Sequence, residues 1–510
     1  MIYDSLSITD TGRCNMSMQW SPQQSAFLAW AKNGTGSCVL EAVAGAGKTT
    51  TLVAAVRDLV GTTAIVAYNK KIAEELQERI NGMPNAKAGT VHSFGFAAIR
   101  KAFGSVKVSS YKVENIVTEL INDENNTKWI STVTKLVGFA KQRALGVIGS
   151  IDDLSKWYDI ANHFDVFSND RDDNEKVPEE LLIRFAIDTL KKSNNETSVI
   201  DYDDMIYLPV MLKLPIWRYD NVLVDEAQDT NPARRALVRM MLKKGGRVIA
   251  VGDRHQAIYG FTGADSDSLD LIKKDFNCVE LPLTTTYRCP KAVVKFAKQW
   301  VSHIESHEMS PEGSVSSVAM AEFMQRKDLD GKAAVLCRLT APLVDLAFRL
   351  IRNRIACKVE GRDIGQNLIK LAKRWKIKTT DKLLEKLEVY LEKEKSKYLA
   401  KKMETKAQQI EDQVETLKVI IDFCNQEKKH SVDDVVKAIE GMFDDNVRGI
   451  MILSTIHKSK GREWNNVFWL DRVNTCPSKY ARQAWQIEQE NNLCYVAATR
   501  AKQNLFDLVK

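Results

Sequence analysis

The stretch Ala42-Val43-Ala44-Gly45-Ala46-Gly47-Lys48-Thr49-Thr50 decides how this chain folds. An apolar run, Cys38-Val39-Leu40, precedes it, and a helical pattern from Leu52 to Leu59 follows. Strand, glycine-rich turn, Lys-Thr and helix is the layout of a phosphate-binding P-loop. The glycines let backbone N–H groups of Ala44 to Thr50 wrap an anion, and the helix N-terminus adds the positive end of its dipole. In such a loop Lys48 neutralises the outer phosphates and the Thr49 hydroxyl ligates Mg²⁺. Ala42 stands where the strict pattern has its first glycine.

The second half of a nucleotide site lies far downstream. Val222-Leu223-Val224 reads as a buried strand and ends in Asp225-Glu226-Ala227-Gln228-Asp229. A strand that delivers two acids at its C-terminal end suits Mg²⁺ and water. Asp225 would hold the metal, and Glu226 would orient and deprotonate the attacking water. A lone Asp-Glu pair after a strand is usually a solvated turn, but the P-loop upstream argues against that here.

Composition sets bounds without naming a function. A length of 510 residues allows several domains, and 44% apolar with 27% charged residues is ordinary for a globular chain. The net charge of +7 is compatible with a polyanion partner. The nine cysteines form no C-x-x-C pair, which excludes zinc or iron–sulfur spacing and reads as reduced thiols in a cytoplasmic setting. No apolar run is long enough to span a membrane, and Met1 to Met18 reads as a flexible lead-in without a signal-peptide core.

Further motifs follow in a fixed order. Pro22-Gln23-Gln24, Tyr68-Asn69-Lys70-Lys71 and Thr90-Val91-His92-Ser93-Phe94 surround the P-loop. Val251-Gly252-Asp253-Arg254-His255-Gln256-Ala257-Ile258-Tyr259-Gly260-Phe261 and Thr286-Tyr287-Arg288 follow the acidic pair. Thr455-Ile456-His457-Lys458-Ser459-Lys460-Gly461-Arg462-Glu463-Trp464 and Tyr495-Val496-Ala497-Ala498-Thr499-Arg500-Ala501 complete the series. From about Trp20 to the C-terminus the chain resembles superfamily 1A DNA helicases of the UvrD/Rep/PcrA kind. The Tyr-Asn-Lys version of one motif is similar to the F-box DNA helicase branch and phage-encoded relatives.

The resemblance implies an α/β fold of two RecA-like P-loop NTPase cores with parallel sheets, each interrupted by a mainly helical insertion. After the lead-in (1–19), residues 20–100 and 200–282 would form the first core and 101–199 its helical insertion. Residues 283–364 and 447–510 would form the second core, interrupted by a short, charged helical insertion at 365–446. Its lysines alternate with Glu385, Glu388, Glu392 and Glu394, which favours a solvated, salt-bridged helix pair over a duplex-DNA surface.

It also implies residue roles. Gln24 would read the adenine edge and Tyr287 stack on its face. Arg288 and Arg500 would reach the γ-phosphate from the second core, Gln256 would sense it, and Lys460 and Glu463 would line the same cleft, Glu463 near the ribose. Tyr68, Tyr259 and Phe261 would stack on bases; Thr90, His92, Arg338 and His457 would contact the DNA backbone, and Lys71 a phosphate. Two positions depart from the family: Thr262 replaces an arginine thought to couple DNA to ATP, so coupling would run through Arg254 or be weaker, and Arg462 replaces a leucine and could add a phosphate contact.

The resulting expectation is an ATP- and Mg²⁺-dependent, 3′-to-5′ single-stranded DNA translocase and helicase in replication, repair or recombination. It would be a monomer or weak oligomer, cytoplasmic or nucleoid-associated, acting on single strands and duplex junctions. The alternative is a DNA-stimulated ATPase subunit of a larger nuclease–helicase or defence complex. Glu226→Gln should retain nucleotide binding but lose turnover by roughly 10²–10⁴-fold; Lys48→Ala should weaken nucleotide binding itself. Nucleotide titration beside steady-state ATPase separates the two, and a Glu226→Gln rate within a few-fold of the parent would refute the assignment.

Overall fold

The structure, a computed structural model, describes residues 19–67, 69–121, 124–164, 166–169, 178–260, 267–400, 404–443, 450–481 and 484–509. Nearly all of the expected lead-in, together with Tyr68, Phe261 and Thr262, lies outside the described residues.

Two sheets of six parallel strands carry the molecule. In the first, the strands run in the order Ala86–Thr90, Thr63–Ala67, Tyr219–Val224, Leu242–Gly252, Cys38–Ala42 and Val279–Leu283. Every residue of Thr63–Ala67 is buried, as expected of a parallel strand covered on both faces. The P-loop strand is flanked by Leu242–Gly252 and Val279–Leu283. The acidic pair follows Tyr219–Val224, one strand further along. Parallel strands place the P-loop, the acidic pair and Asp253 on the same carboxyl edge, where ligands of such sheets bind.

The second sheet runs Ser314–Ala319, Ala501–Val509, Trp464–Leu470, Ala333–Cys337, Met451–Thr455 and Cys357–Val359. Leu336 and Val467 of this sheet, with Ile456 just beyond it, share a core with Leu40 and Leu223 of the first sheet and Leu52 of the helix after the P-loop, joined through Leu493 to Ala498. The two α/β layers therefore meet through continuous apolar packing.

Several elements begin earlier than their apolar patterns indicate. The helix expected from Leu52 spans Lys48–Val56, because Gly47 at φ +75° turns the chain directly into it. Helix Lys70–Arg79 is started by the Asn69 side chain accepting from the Ile72 N–H. A left-handed glycine and an asparagine cap set these starts, not hydrophobic periodicity.

The first helical insertion is welded to the sheet beneath it. At Gly95 in helix Val91–Phe103 a Cβ would stand 1.9 Å from the Met205 carbonyl oxygen, so helix Asp204–Met211 crosses there backbone to backbone. Ile99, Met205 and Leu208 join one core with Leu136, Trp157 and Leu182 of the insertion. A buried ionic knot fastens two of its helices to helix Asp204–Met211. Lys112 Nζ lies 2.7 Å from Asp204, and Lys141 Nζ 2.6 Å from Asp201 and 2.7 Å from Asp204.

The charged second insertion forms helices Arg362–Lys373, Thr380–Ala400, Glu404–Gln426 and Val432–Met442. Leu383, Leu387, Val414 and Ile420 share a core with Val335, Leu453 and Phe468 of the second sheet. Ion pairs Lys395–Glu411 (2.6 Å) and Lys418–Glu388 (3.9 Å) lace the long helix pair.

Removing one partner of a buried ion pair leaves an uncompensated charge, which typically costs about 3–5 kcal/mol. Lys141→Met should therefore destabilise the chain by about that amount in urea unfolding, whereas an exposed pair such as Lys70–Glu74 should contribute at most about 1 kcal/mol.

Candidate nucleotide site and adjoining cleft

The P-loop has the shape of an anion cradle. Gly45 and Gly47 adopt φ +74° and +75°. At Gly45 a Cβ would lie 2.5 Å from Arg288 Cβ and 2.6 Å from Thr286 Oγ1, so both the turn and the neighbouring segment require glycine. The Tyr287 N–H donates to the Gly45 carbonyl at 2.9 Å. The Ala44 N–H donates to the Tyr495 hydroxyl at 2.9 Å. Second-sheet chain thus reaches the loop directly. Thr50 sits half-buried in the helix first turn.

The acidic pair faces this loop. Lys48 Nζ lies 3.8 Å from Glu226 Oε1, and the Thr49 hydroxyl hydrogen-bonds Asp225. Glu226 is held at φ +51°, a strained conformation for a residue with a side chain, and this aims its carboxylate into the cleft. Burial, with Glu226 alongside, raises the Asp225 carboxyl to about 7. Burial works against the charge of Glu226 too, but Lys48, Lys460, the Gln228 amide and Arg500 outweigh it and lower this group to about 2. A hydroxyl and a carboxylate brought together beside a phosphate cradle fit an oxygen-loving divalent cation. Thr49 and Asp225 would hold Mg²⁺, which when bound neutralises phosphate charge.

The expected γ-phosphate residues form a chain across the cleft. The Gln256 amide donates to Asp253 Oδ2 at 2.7 Å, and Arg500 Nη2 donates to Gln256 Oε1 at 3.1 Å. Arg500 is 1% exposed and also donates to the carbonyls of Val496 (2.9 Å) and Arg462 (3.2 Å). Burial and Arg288 lower its pKa to about 10, so it stays charged at neutral pH. Arg288 lies nearer the rim, 2.5 Å from Glu463. Lys460 donates to Asp229 (2.7 Å) and to the Gln256 carbonyl (2.6 Å). Gln24 is buried; its amide accepts from the Tyr287 hydroxyl at 3.2 Å and donates to Thr51 at 2.9 Å.

Three partners carried no role in the sequence. Gln228 donates to Glu226 and accepts from the Asp253 N–H at 3.1 Å, joining the acidic pair to the Gln256 segment. Asp253 holds Gln256, and Asp229 holds Lys460. Asp229 and Gln228 lie within the quoted acidic motif; their spacing was the available signal.

The DNA candidates are more dispersed. A cavity of about 580 Å³ lies at the carboxyl ends of Ala333–Cys337 and Met451–Thr455, and Gly260, Arg338 and His457 line it. Tyr259 is beside it, its hydroxyl 3.1 Å from the His457 carbonyl and its ring 4.9 Å from Lys460 Nζ. Arg338 is engaged by Glu490 at 2.8 Å, and Arg462 is ion-paired with Glu360. Thr90 caps helix Val91–Phe103, and Lys71 is exposed in the first turn of its helix. Burial and Arg234 lower His92 to about 4, and burial and Arg338 lower His457 well below the ordinary value, so both rings are neutral hydrogen-bonding groups at physiological pH. The Arg254 guanidinium pairs with Glu41 and Asp270 of the first sheet's side, and only its carbonyl accepts across the cleft, from Asn492 at 3.3 Å.

Residues 20–277 match the UvrD/REP helicase N-terminal domain, and residues 362–508 match the UvrD-like helicase C-terminal domain. The ATP-dependent DNA helicase Rep of Salmonella typhimurium is 26% identical over 289 residues, covering 52% of this chain and 40% of that protein. Rep of Escherichia coli is 25% identical over 286 residues (52% and 41%). DNA helicase II of Haemophilus influenzae is 24% identical over 298 residues (52% and 38%). The chain thus spans roughly two fifths of the length of these relatives.

Arg288 and Arg500 should separate in their failures. Arg288→Ala, at the rim, should lower the ATPase rate by roughly 10³-fold or more and leave the melting temperature nearly unchanged. Arg500→Ala should lose a similar rate and also melt several degrees lower, because it removes a buried hub. Steady-state ATPase and thermal melts on both variants check this.

Proposed function

The chain belongs to the UvrD/REP helicase family, and from that premise we propose that it is an ATP-dependent translocase on single-stranded DNA and a 3′-to-5′ DNA helicase. The observation that carries the reading is the Asp253–Gln256–Arg500 chain of hydrogen bonds across the cleft. It joins the P-loop half of the site to a cation from the other half.

Each half has its own task. Lys48 and the P-loop amides bind the phosphates; Glu226 takes a proton from the attacking water; Arg288 and Arg500 stabilise charge as the terminal phosphoryl group departs. Lys48 is 3.8 Å from Glu226. ATP phosphates compete for that ammonium, which leaves the carboxylate facing water. Gln24 and Tyr287 bracket the adenine side of the cradle. ATP draws the halves together, and loss of the γ-phosphate releases them, a ligand-biased hinge that grips and advances the strand in the neighbouring cavity. Single strands and duplex junctions in the cytoplasm are the substrates on this reading.

The purified chain should hydrolyse ATP faster with single-stranded DNA and unwind 3′-tailed but not 5′-tailed duplex. ATPase insensitive to DNA would refute the motor. Stimulation without unwinding would instead favour a subunit of a larger nuclease–helicase assembly.

A further inference from the structure

The cavity that His457 lines also carries aromatic rings that belong to none of the motifs. Phe139 and Phe164 stack at 3.9 Å with planes 6° apart, and Arg143 covers Phe164 at 5.2 Å. His163 stands edge-on to Phe164 at 4.7 Å. Its ring then faces Trp485 at 6.2 Å with planes inclined by only 25°. Phe139, His163 and Phe164 come from the first helical insertion, whereas Trp485 begins helix Ala484–Ala498 of the second sheet's layer. All four rings line the 580 Å³ cavity.

The pairing is unlike a core contact. His163 is exposed and Trp485 half-buried, and they come from separate layers of the fold. Two near-parallel rings from different layers, both lining the cavity, offer a π-face to a flat guest, and stacking on such faces is indifferent to base identity. Lys135 lining the same cavity and Arg143 behind the ladder supply the positive charge that a phosphate backbone needs. We infer that His163 and Trp485 form an aromatic clamp at the junction of the first helical insertion and the second sheet's layer, and that a base of single-stranded DNA stacks on its exposed face. This rests on the DNA-binding reading above and adds a contact from outside the motifs.

The test uses the full chain and fluorescein-labelled oligo(dT), with anisotropy read without nucleotide at several salt concentrations. Failure of the unaltered chain to bind would overturn the DNA-binding reading itself, before any variant is compared. Given binding, Trp485→Ala should weaken affinity roughly five- to 150-fold, the range for one stacked base, and leave the salt slope unchanged. Trp485→Phe should restore most of it, and basal ATPase should be preserved. His163→Ala, at an exposed position, should weaken binding too, and it decides the matter should Trp485→Ala fail to fold. Affinities of both alanine variants within about twofold of the parent would overturn the clamp. So would a loss accompanied by a salt slope flatter by about one, which marks a phosphate contact.

Discussion

A buried guanidinium that hydrogen-bonds a neutral amide holds the two halves of this molecule in register. Arg500 reaches Gln256 from a wholly enclosed position, and Gln256 is fixed by Asp253. A buried cation is tolerated only when its donors are satisfied, and here carbonyls of Val496 and Arg462 take the others. The enclosing shell must therefore close around it. The P-loop meets Thr286 and Arg288 at glycine-only distance, Tyr495 reaches the Ala44 amide, and Lys460 spans to Asp229. The cleft is built of polar contacts that nucleotide phosphates can compete for, set over an apolar core that they cannot.

Much of this was readable from the chain, for a physical reason. A parallel strand buried on both faces leaves a continuous apolar run, and a phosphate cradle leaves glycines followed by Lys-Thr; both signals are local. Strand Cys38–Ala42 holds the apolar run Cys38-Val39-Leu40, and the Asp225–Glu226 pair stands at a strand's end. Element starts were less legible because caps such as Asn69 and the turn at Gly47 fix them. The crossing at Gly95 was hidden because nothing near that residue signals Met205, 110 positions away.

The site divided in the same way. Residues whose chemistry acts directly on phosphate or water announce themselves by type and spacing. Their supports do not: Gln228 became meaningful once its amide was seen to join Glu226 to Asp253. Charge alone does not reveal which partners a side chain meets within the chain. Arg338 and Arg462 have the right type for phosphate contact, yet Glu490 and Glu360 engage them. His92 and His457 lose their charge to burial and nearby arginines.

Helix Ala484–Ala498 is in effect a lever. Its 15 residues make a rod about 22 Å long, with Trp485 at one end and Tyr495 near the other, just before Arg500. Asn492 and Glu490 brace it along its length against Ala257 and Arg338. A tilt of about 5° about its middle would move each end by about 1 Å, in opposite directions. Displacement of that size is enough to break one hydrogen bond at the P-loop while making room in the cavity, so the two ends of the helix need not be linked by any relay of side chains.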